Sequence, residues 1–385
     1  MLRNLSLVAR SALHSPQTAA RPFSAQSDFE QAQKNLDKLK EDPGNDVKLQ
    51  LYALFKQATL GDVQGKRPGM LDIVGRTKYD AWHGLKGQTQ DEARANYANV
   101  VKGLVAEDVA NASETAGTTV DGLKAVDGLN ITREGKVFKI TLNRPKKFNA
   151  LTFDMYGAIQ NALDLASKDK TTSITVIAAN GPYFSAGNDL TNFEAASGGD
   201  REKVEEMAKV AKVVLHEYVD AYIRHEKPLI GLVNGPAVGI AVTVLGLFDY
   251  VIASDRATFH TPFAPLGQSP EGCSSYTFPL LMGPLKASEL LLFCKKISAE
   301  TAKSYGLVNE VVPLQEFHAH TQKTIEEFSE IPPESLSINK THMRSLHREK
   351  LFEINNVECD LIATRWLSKE CHDAVTAFIA RSAQK

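Results

Sequence analysis

PLIGLVNGPAVGIAV, residues 228–242, changes character halfway along. Residues 228–235 form a short unbroken apolar run closed by Asn and Gly, which predicts a strand buried on both faces. From Gly239 the chain stays apolar without alternation, which predicts a helix over 239–248. VFKITLN (137–143), SITVIAA (173–179) and DYVIASD (249–255) read as further buried strands. Helical patterns fall near 153–167, 200–225 and 285–293, so strands and helices alternate, and the region from 131 onward is an α/β domain with helices covering a sheet. It contains neither GxGxxG nor GxxxxGK[ST], so no dinucleotide or P-loop site is expected.

At 385 residues the chain is long enough for two domains. Its 44 Lys and Arg against 46 Asp and Glu leave no basic excess of the kind that binds nucleic acid. The four cysteines, Cys273, Cys294, Cys359 and Cys371, form no CxxC pair, which argues against a disulfide scaffold or structural zinc. The histidines follow no metal-ligand spacing, and no metal or cofactor is expected. No apolar run is long enough to span a membrane. The first 27 residues carry Arg3, Arg10 and Arg21 among serines and alanines and no acid, which is the composition of a mitochondrial transit peptide. Residues 1–26 are therefore assigned to targeting and the protein to the mitochondrial matrix. The closing Ser-Ala-Gln-Lys differs from the peroxisomal Ser-Lys-Leu signal.

Between 28 and 110, apolar residues recur at helical spacing with Pro-Gly punctuation, which predicts helices near 28–40, 45–60, 72–86 and 89–108 packed as a small bundle. LYALFKQATLGD (51–62), KRPGMLD (66–72) and RTKYDAWHGLKG (76–87) occur in it in that order, and Tyr97 follows. This set closely resembles the acyl-CoA-binding protein family. The resemblance implies that Tyr52, Lys56, Lys78 and Tyr97 hold the coenzyme A head group, and stacking on adenine and lysine–phosphate attraction suit those residue types. Phe55 and Tyr79 stand where the family usually has tyrosine and tryptophan. The expected domains are 27–110 for this four-helix bundle, a small-residue linker over 111–130, and 131–385 for the α/β domain.

NRPKKFNAL (143–151), FSAGNDL (184–190), the opening stretch and HTPFAPLGQSPEGCSSY (260–276) together resemble the crotonase, or enoyl-CoA hydratase/isomerase, superfamily. The resemblance implies a spiral of repeated ββα turns, assembly as a trimer or dimer of trimers, and stabilisation of an acyl-CoA enolate by two backbone N–H groups. Those groups belong by resemblance to Asn188 and Ile240. Ser185, Ala186, Gly187, Asp189, Leu190 and Gly239 then shape the turns that bind coenzyme A. Small residues let backbone approach a ligand, and a helix opening after Gly239 offers free N–H groups with a dipole that favours negative charge.

Hydratases of this superfamily use two glutamates to handle water, and the matching positions here hold Thr243 and Phe263. Neither serves as an acid or base near neutral pH. Glu271 remains. Read locally, Ser269-Pro270-Glu271 is an ordinary helix opening, with an N-cap hydroxyl, proline at the first position and an acid in the first turn. By resemblance, Glu271 falls where the Δ3-Δ2-enoyl-CoA isomerase branch keeps its single catalytic glutamate. That implies a fatty 3-enoyl-CoA substrate whose cis or trans double bond moves to the trans-2 position during β-oxidation of unsaturated fatty acids. A silent acyl-CoA carrier, a dienoyl-CoA isomerase and a thioesterase are the alternatives.

Overall fold

The computed structural model describes residues 25–37, 45–69, 72–113, 118–192 and 201–383. Most of the expected transit peptide therefore lies outside the described residues.

Four helices open the chain: α1 (Ala25–Leu36), α2 (Asn45–Leu60), α3 (Ile73–His83) and α4 (Gln90–Ser113). Their apolar stripes meet in one cluster built on Phe29, Leu51, Leu54, Ala58, Ala93, Tyr97 and Val101. The starts of α3 and α4 are set by polar side chains. Asp72 accepts the Gly75 N–H at 2.8 Å, and Thr89 and Glu92 satisfy each other's amides as a capping box. This is the small all-α bundle expected from periodicity.

The remainder contains β1 (Thr118–Thr119), β2 (Leu129–Glu134), β3 (Val137–Leu142), α5 (Phe153–Lys168), β4 (Ile174–Ala179), α6 (Arg201–Arg224), β5 (Leu229–Val233), β6 (Ala237–Val238) and α7 (Ile240–Thr243). It continues through β7 (Tyr250–Ser254), β8 (Thr258–His260), α8 (Ser274–Met282), α9 (Pro284–Leu291), β9 (Ile297–Ser298), α10 (Ala299–Ser304), β10 (Glu310–Val312), α11 (Leu314–Ser329), α12 (Pro333–Trp366) and α13 (Lys369–Ala383). The main sheet runs β1-β2-β3-β4-β5-β7-β10, parallel from β3 onward, and β6-β8-β9 form a small second sheet. The α4 end and β1 both fall within 111–130, where a linker was expected, because Thr118 and Thr119 pair with Arg133 and Thr132 on the edge of β2.

Alternate residues of the parallel strands enter different cores, which is why these strands read as unbroken apolar runs. Phe138, Ile140, Leu229 and Val233 join the core containing α5 and α6. Val137, Ile174, Val176, Ile230 and Ile252 face Phe317 and Ile325 of α11. Each such side chain contributes roughly 1.5–3 kcal/mol through burial. The helix expected over 239–248 is one α-turn that tightens into a 3-10 turn at Val244–Leu247 before the chain re-enters the sheet as β7. That short element and the loop after β4 end beside each other at one end of the sheet.

Candidate active site

The segment 184–190 lies along 237–240. Ser185 pairs with Ala237 and Asn188 with Leu151 in single β-bridges, and the Val238 N–H donates to the Ser185 carbonyl at 2.9 Å. Gly187 makes the approach possible. Its φ is +84°, and a methyl group there would lie 2.7 Å from the Val238 carbonyl oxygen. The polar side chains of this loop are spent on its shape. The Ser185 hydroxyl donates to the Asn149 carbonyl at 2.8 Å and accepts the Gly187 N–H at 3.1 Å. Asp189 accepts from Arg144 at 2.7 Å and from the Thr191 N–H at 2.9 Å. Burial alone would raise the Asp189 carboxyl, but those donors outweigh it and hold it below its ordinary value. Ala186 donates its N–H to the Phe148 carbonyl, and Leu190 is exposed at the end of the loop.

The amide N–H groups of Asn188 and Ile240 have no hydrogen-bond partner among the described residues, whereas Gly187, Asp189, Gly239 and Val242 all donate theirs. Gly239, at φ +59°, precedes Ile240, the first residue of α7. Two unpaired donors thus project from adjacent segments.

Glu271 sits on a turn packed against α7. A methyl group at Gly272 would meet Thr243 Oγ1 at 2.7 Å and Ile240 Cδ1 at 3.3 Å. The helix-opening reading fails here. Gly272 and Cys273 have φ of +68° and +61°, neither helical, and α8 begins only at Ser274. The Ser269 hydroxyl caps nothing and is buried without a partner among the described residues. Glu271 is 8 % exposed, and burial, assisted by the negative charge of Glu358, pushes its carboxyl up to about 8. Around it stand Tyr156 of α5 and Tyr218 of α6, edge to face at 4.7 Å, with hydroxyls driven far above their ordinary range by burial and by the Glu271 charge. Thr243 and Phe263 are both buried, and neither brings an acid. The Cys273 thiol is pushed well up by burial, so it is a packing group.

Sequence reading missed Glu358, Tyr156 and Tyr218. Glu358 lies on the buried stripe of α12 with Leu351, Asn355, Cys359, Ile362 and Trp366, and an acid inside such a stripe was the available signal. The tyrosines are separated from Glu271 by more than 50 residues and offered no local sign.

In the helical bundle, Lys56 and Lys78 place their ammonium groups 5.9 Å and 5.1 Å from the Tyr52 ring centroid, and Lys56 is also 5.9 Å from that of Trp82. Tyr97 stands apart from this surface group. It is buried edge-to-face on Phe29 at 4.9 Å, with the half-exposed Phe55 beside both rings.

Residues 132–384 match the enoyl-CoA hydratase/isomerase family model, and residues 26–101 match that of acyl-CoA-binding protein. The chain is 49% identical over 358 residues to enoyl-CoA delta isomerase 2 of Rattus norvegicus, covering 92% of this chain and 90% of that one. It is 47% identical to the Homo sapiens protein of the same name, over 97% of this chain and 93% of the other. A crystal structure of an enoyl-CoA hydratase/isomerase from Pseudoalteromonas atlantica T6c superposes with a TM-score of 0.60 at 30% identity, covering 66% of this chain and 98% of that one. Among the described residues no helix is long and apolar enough to cross a membrane.

Proposed function

The chain belongs to the enoyl-CoA hydratase/isomerase family, and from that premise we propose that it moves the 3,4 double bond of a fatty acyl-CoA into conjugation by one-base proton transfer. It is an isomerase with an acyl-CoA-binding domain ahead of the catalytic one. Ionised Glu271 takes a proton from C2, beside the thioester carbonyl. The electron pair moves onto the thioester oxygen, giving a dienolate, and the Asn188 and Ile240 N–H groups hold that oxygen. Glu271 then returns the proton at C4. Bonds and charge balance within the substrate, so the step draws on no cofactor.

The observation that carries this reading is a buried carboxylate with no ion-pair or hydrogen-bond partner on its side chain among the described residues, on a turn packed against α7, where the Ile240 amide and, on the neighbouring loop, the Asn188 amide are likewise without partners. A donor aimed at a developing oxyanion is worth roughly 10²–10³ in rate. A base whose pKa is raised towards 8 is a stronger proton acceptor than an ordinary glutamate, although only about a tenth of it is ionised at pH 7. Thr243 and Phe263 supply no second acid for water, which favours isomerisation over hydration. One-base transfer accommodates cis and trans substrates alike, as β-oxidation of unsaturated chains requires.

In this reading Tyr52, Lys56 and Lys78 receive the coenzyme A phosphates and adenine, and Tyr97, buried on Phe29 and beside Phe55, takes part only through its place in the bundle core. Two further proposals rest on sequence composition and family. The acid-free basic leader directs the protein to the mitochondrial matrix, and the catalytic domain assembles as a trimer or dimer of trimers.

The test measures conversion of a 3-enoyl-CoA to the 2-enoyl-CoA by wild type and Glu271→Gln, with 3-hydroxyacyl-CoA followed in parallel. Isomerisation lost in the variant with coenzyme A ester still bound supports the base assignment. Hydroxyacyl product from wild type, or unchanged isomerisation in the variant, sinks it.

A further inference from the structure

The turn carrying Glu271 is held by a second buried acid that the isomerisation scheme leaves unused. Glu358 of α12 is 4 % exposed. Its Oε2 accepts the Cys273 N–H at 2.6 Å and its Oε1 the Ser275 N–H at 2.9 Å. Both carboxylate oxygens are thus spent on the backbone immediately after Glu271. No ion pair to either glutamate is found among the described residues, so this acid answers backbone dipoles rather than a cation.

The backbone it grips is strained. Cys273 is one of only a few non-glycine residues with positive φ among the described residues, and it follows Gly272, also left-handed. Such a conformation costs of order 1 kcal/mol or more and persists only where surrounding contacts enforce it. The Glu358–Cys273 bond is that enforcement, and the free first-turn amides and dipole of α8 make a carboxylate the favoured group there. A neutral acceptor would hold the turn less firmly, and an apolar side chain not at all.

We propose that Glu358 is a positioning residue for the isomerisation, clasping the Cys273 and Ser275 amides so that Glu271 faces the substrate carbon. This rests on Glu271 being the base. Two acids in one pocket cannot both ionise freely, and their environments separate them. Burial raises Glu358 above its ordinary value, and the Ser275 and Cys273 hydrogen bonds oppose that rise. Glu271 has no such donors among the described residues, and so keeps the proton to higher pH. The other groups facing the pair are Cys359 of α12, Tyr156 of α5, Tyr218 of α6 and Cys273 on the turn itself. Asp220 of α6 lies behind them, bonded to Asn355 at 2.8 Å and answered by Arg224 at 3.5 Å and His216 at 3.9 Å. Glu358 is accordingly the group whose charge changes Glu271 most.

The experiment is the pH profile of kcat/KM for a 3-enoyl-CoA with wild type, Glu358→Gln, Glu358→Asp and Ser275→Pro, each checked by melting temperature, alongside Glu271→Gln. In Glu358→Gln the acid limb moves down by about one pH unit as the like charge is lost, and kcat on the plateau falls roughly tenfold as the turn loosens. Glu358→Asp keeps the charge and returns the midpoint to within a few tenths of wild type. Ser275→Pro removes one clasped N–H at a first-turn position that tolerates proline. It leaves Glu358 more readily protonated and moves the midpoint in the same direction, so the test survives a Glu358→Gln chain that does not fold. A uniform loss of rate with the midpoint unmoved in the folded variants makes Glu358 merely structural and overturns the proposal. Should Glu271→Gln itself retain wild-type isomerisation, the base assignment falls first and this inference with it.

Discussion

Two charged clusters in this molecule treat water in opposite ways. On the helical bundle, half-buried Lys56 and exposed Lys78 hold their charges over the Tyr52 ring, where they keep contact with water and a phosphate-rich ligand can arrive directly. In the α/β domain, Glu271 and Glu358 are withdrawn from water with no cation paired to them among the described residues. The first arrangement spends little stability and gains modest attraction, screened by salt. The second costs folding free energy and stores it as basicity. A binding surface and a proton-transferring pocket thus differ less in residue type than in what each charge is allowed to touch.

The sharpest way to break that contrast is to neutralise the buried acid. Glu271→Gln should lower kcat/KM by roughly 10²–10⁴ and yet raise stability. The sign follows from linkage. The Glu271 carboxyl is raised from an ordinary 4.5 to about 8 in the folded protein, so between those values the folded state binds the proton that the unfolded state has released. Stability therefore falls as pH rises through that window, by up to about 1.4 kcal/mol per pH unit for one such group, and is fully present below it. Thermal melts of wild type and Glu271→Gln should coincide near pH 4.5 and diverge towards pH 8, the variant melting higher. A gap that stays constant with pH would mean that Glu271 is not held protonated.

Gly187→Ala should come next in size. The new methyl would lie 2.7 Å from the Val238 carbonyl oxygen at a φ of +84°, so the loop must shift away from β6. We expect a stability loss of about 1–3 kcal/mol, with kcat falling more than KM rises because the Asn188 N–H is displaced from the reacting oxygen. Equal kcat in the variant would separate the Asn188 amide from the chemistry. The wild-type rate offers a smaller handle: kcat/KM should climb nearly tenfold per pH unit below about 8 and then level, and a profile flat from pH 6 would deny Glu271 its raised pKa.

What was legible in the chain beforehand follows the same divide. The bundle, the parallel strands and α5, α6 and α9 came from periodicity, because each buries a continuous stripe or run that repeats within ten or twenty residues. The Gly187 and Gly239 turns were visible as glycines between apolar runs, and their positive φ values explain the requirement. Glu271 was visible as a carboxylate without charged neighbours, but its local context pointed wrongly to a helix start. Ser269-Pro270 has the letters of a cap, and only the left-handed Gly272-Cys273 pair shows that the helix begins later. Glu358, Tyr156 and Tyr218 reach the pocket from α12, α5 and α6, and nothing within one helix reveals that their buried faces meet. Local rules fail where long-range contacts set the backbone and the charge.

The smallest expected effect lies back on the bundle. Lys56→Ala and Lys78→Ala each remove a charge beside the Tyr52 ring, with Trp82 also beside Lys56, and an ion pair that such a charge makes near the surface is worth about 0–1 kcal/mol. Each should weaken acyl-CoA binding to the bundle only a few-fold at moderate ionic strength, the two losses should fall short of simple addition because both ammonium groups share the Tyr52 ring, and both should shrink as salt is raised. Isomerisation at saturating substrate should not change, because neither lysine belongs to the α/β domain. Titration calorimetry at two salt concentrations distinguishes this from the alternative. A loss of a hundredfold or more from one lysine, insensitive to salt, would mean that the charge becomes buried against its ligand. The bundle would then resemble the Glu271 pocket rather than contrast with it.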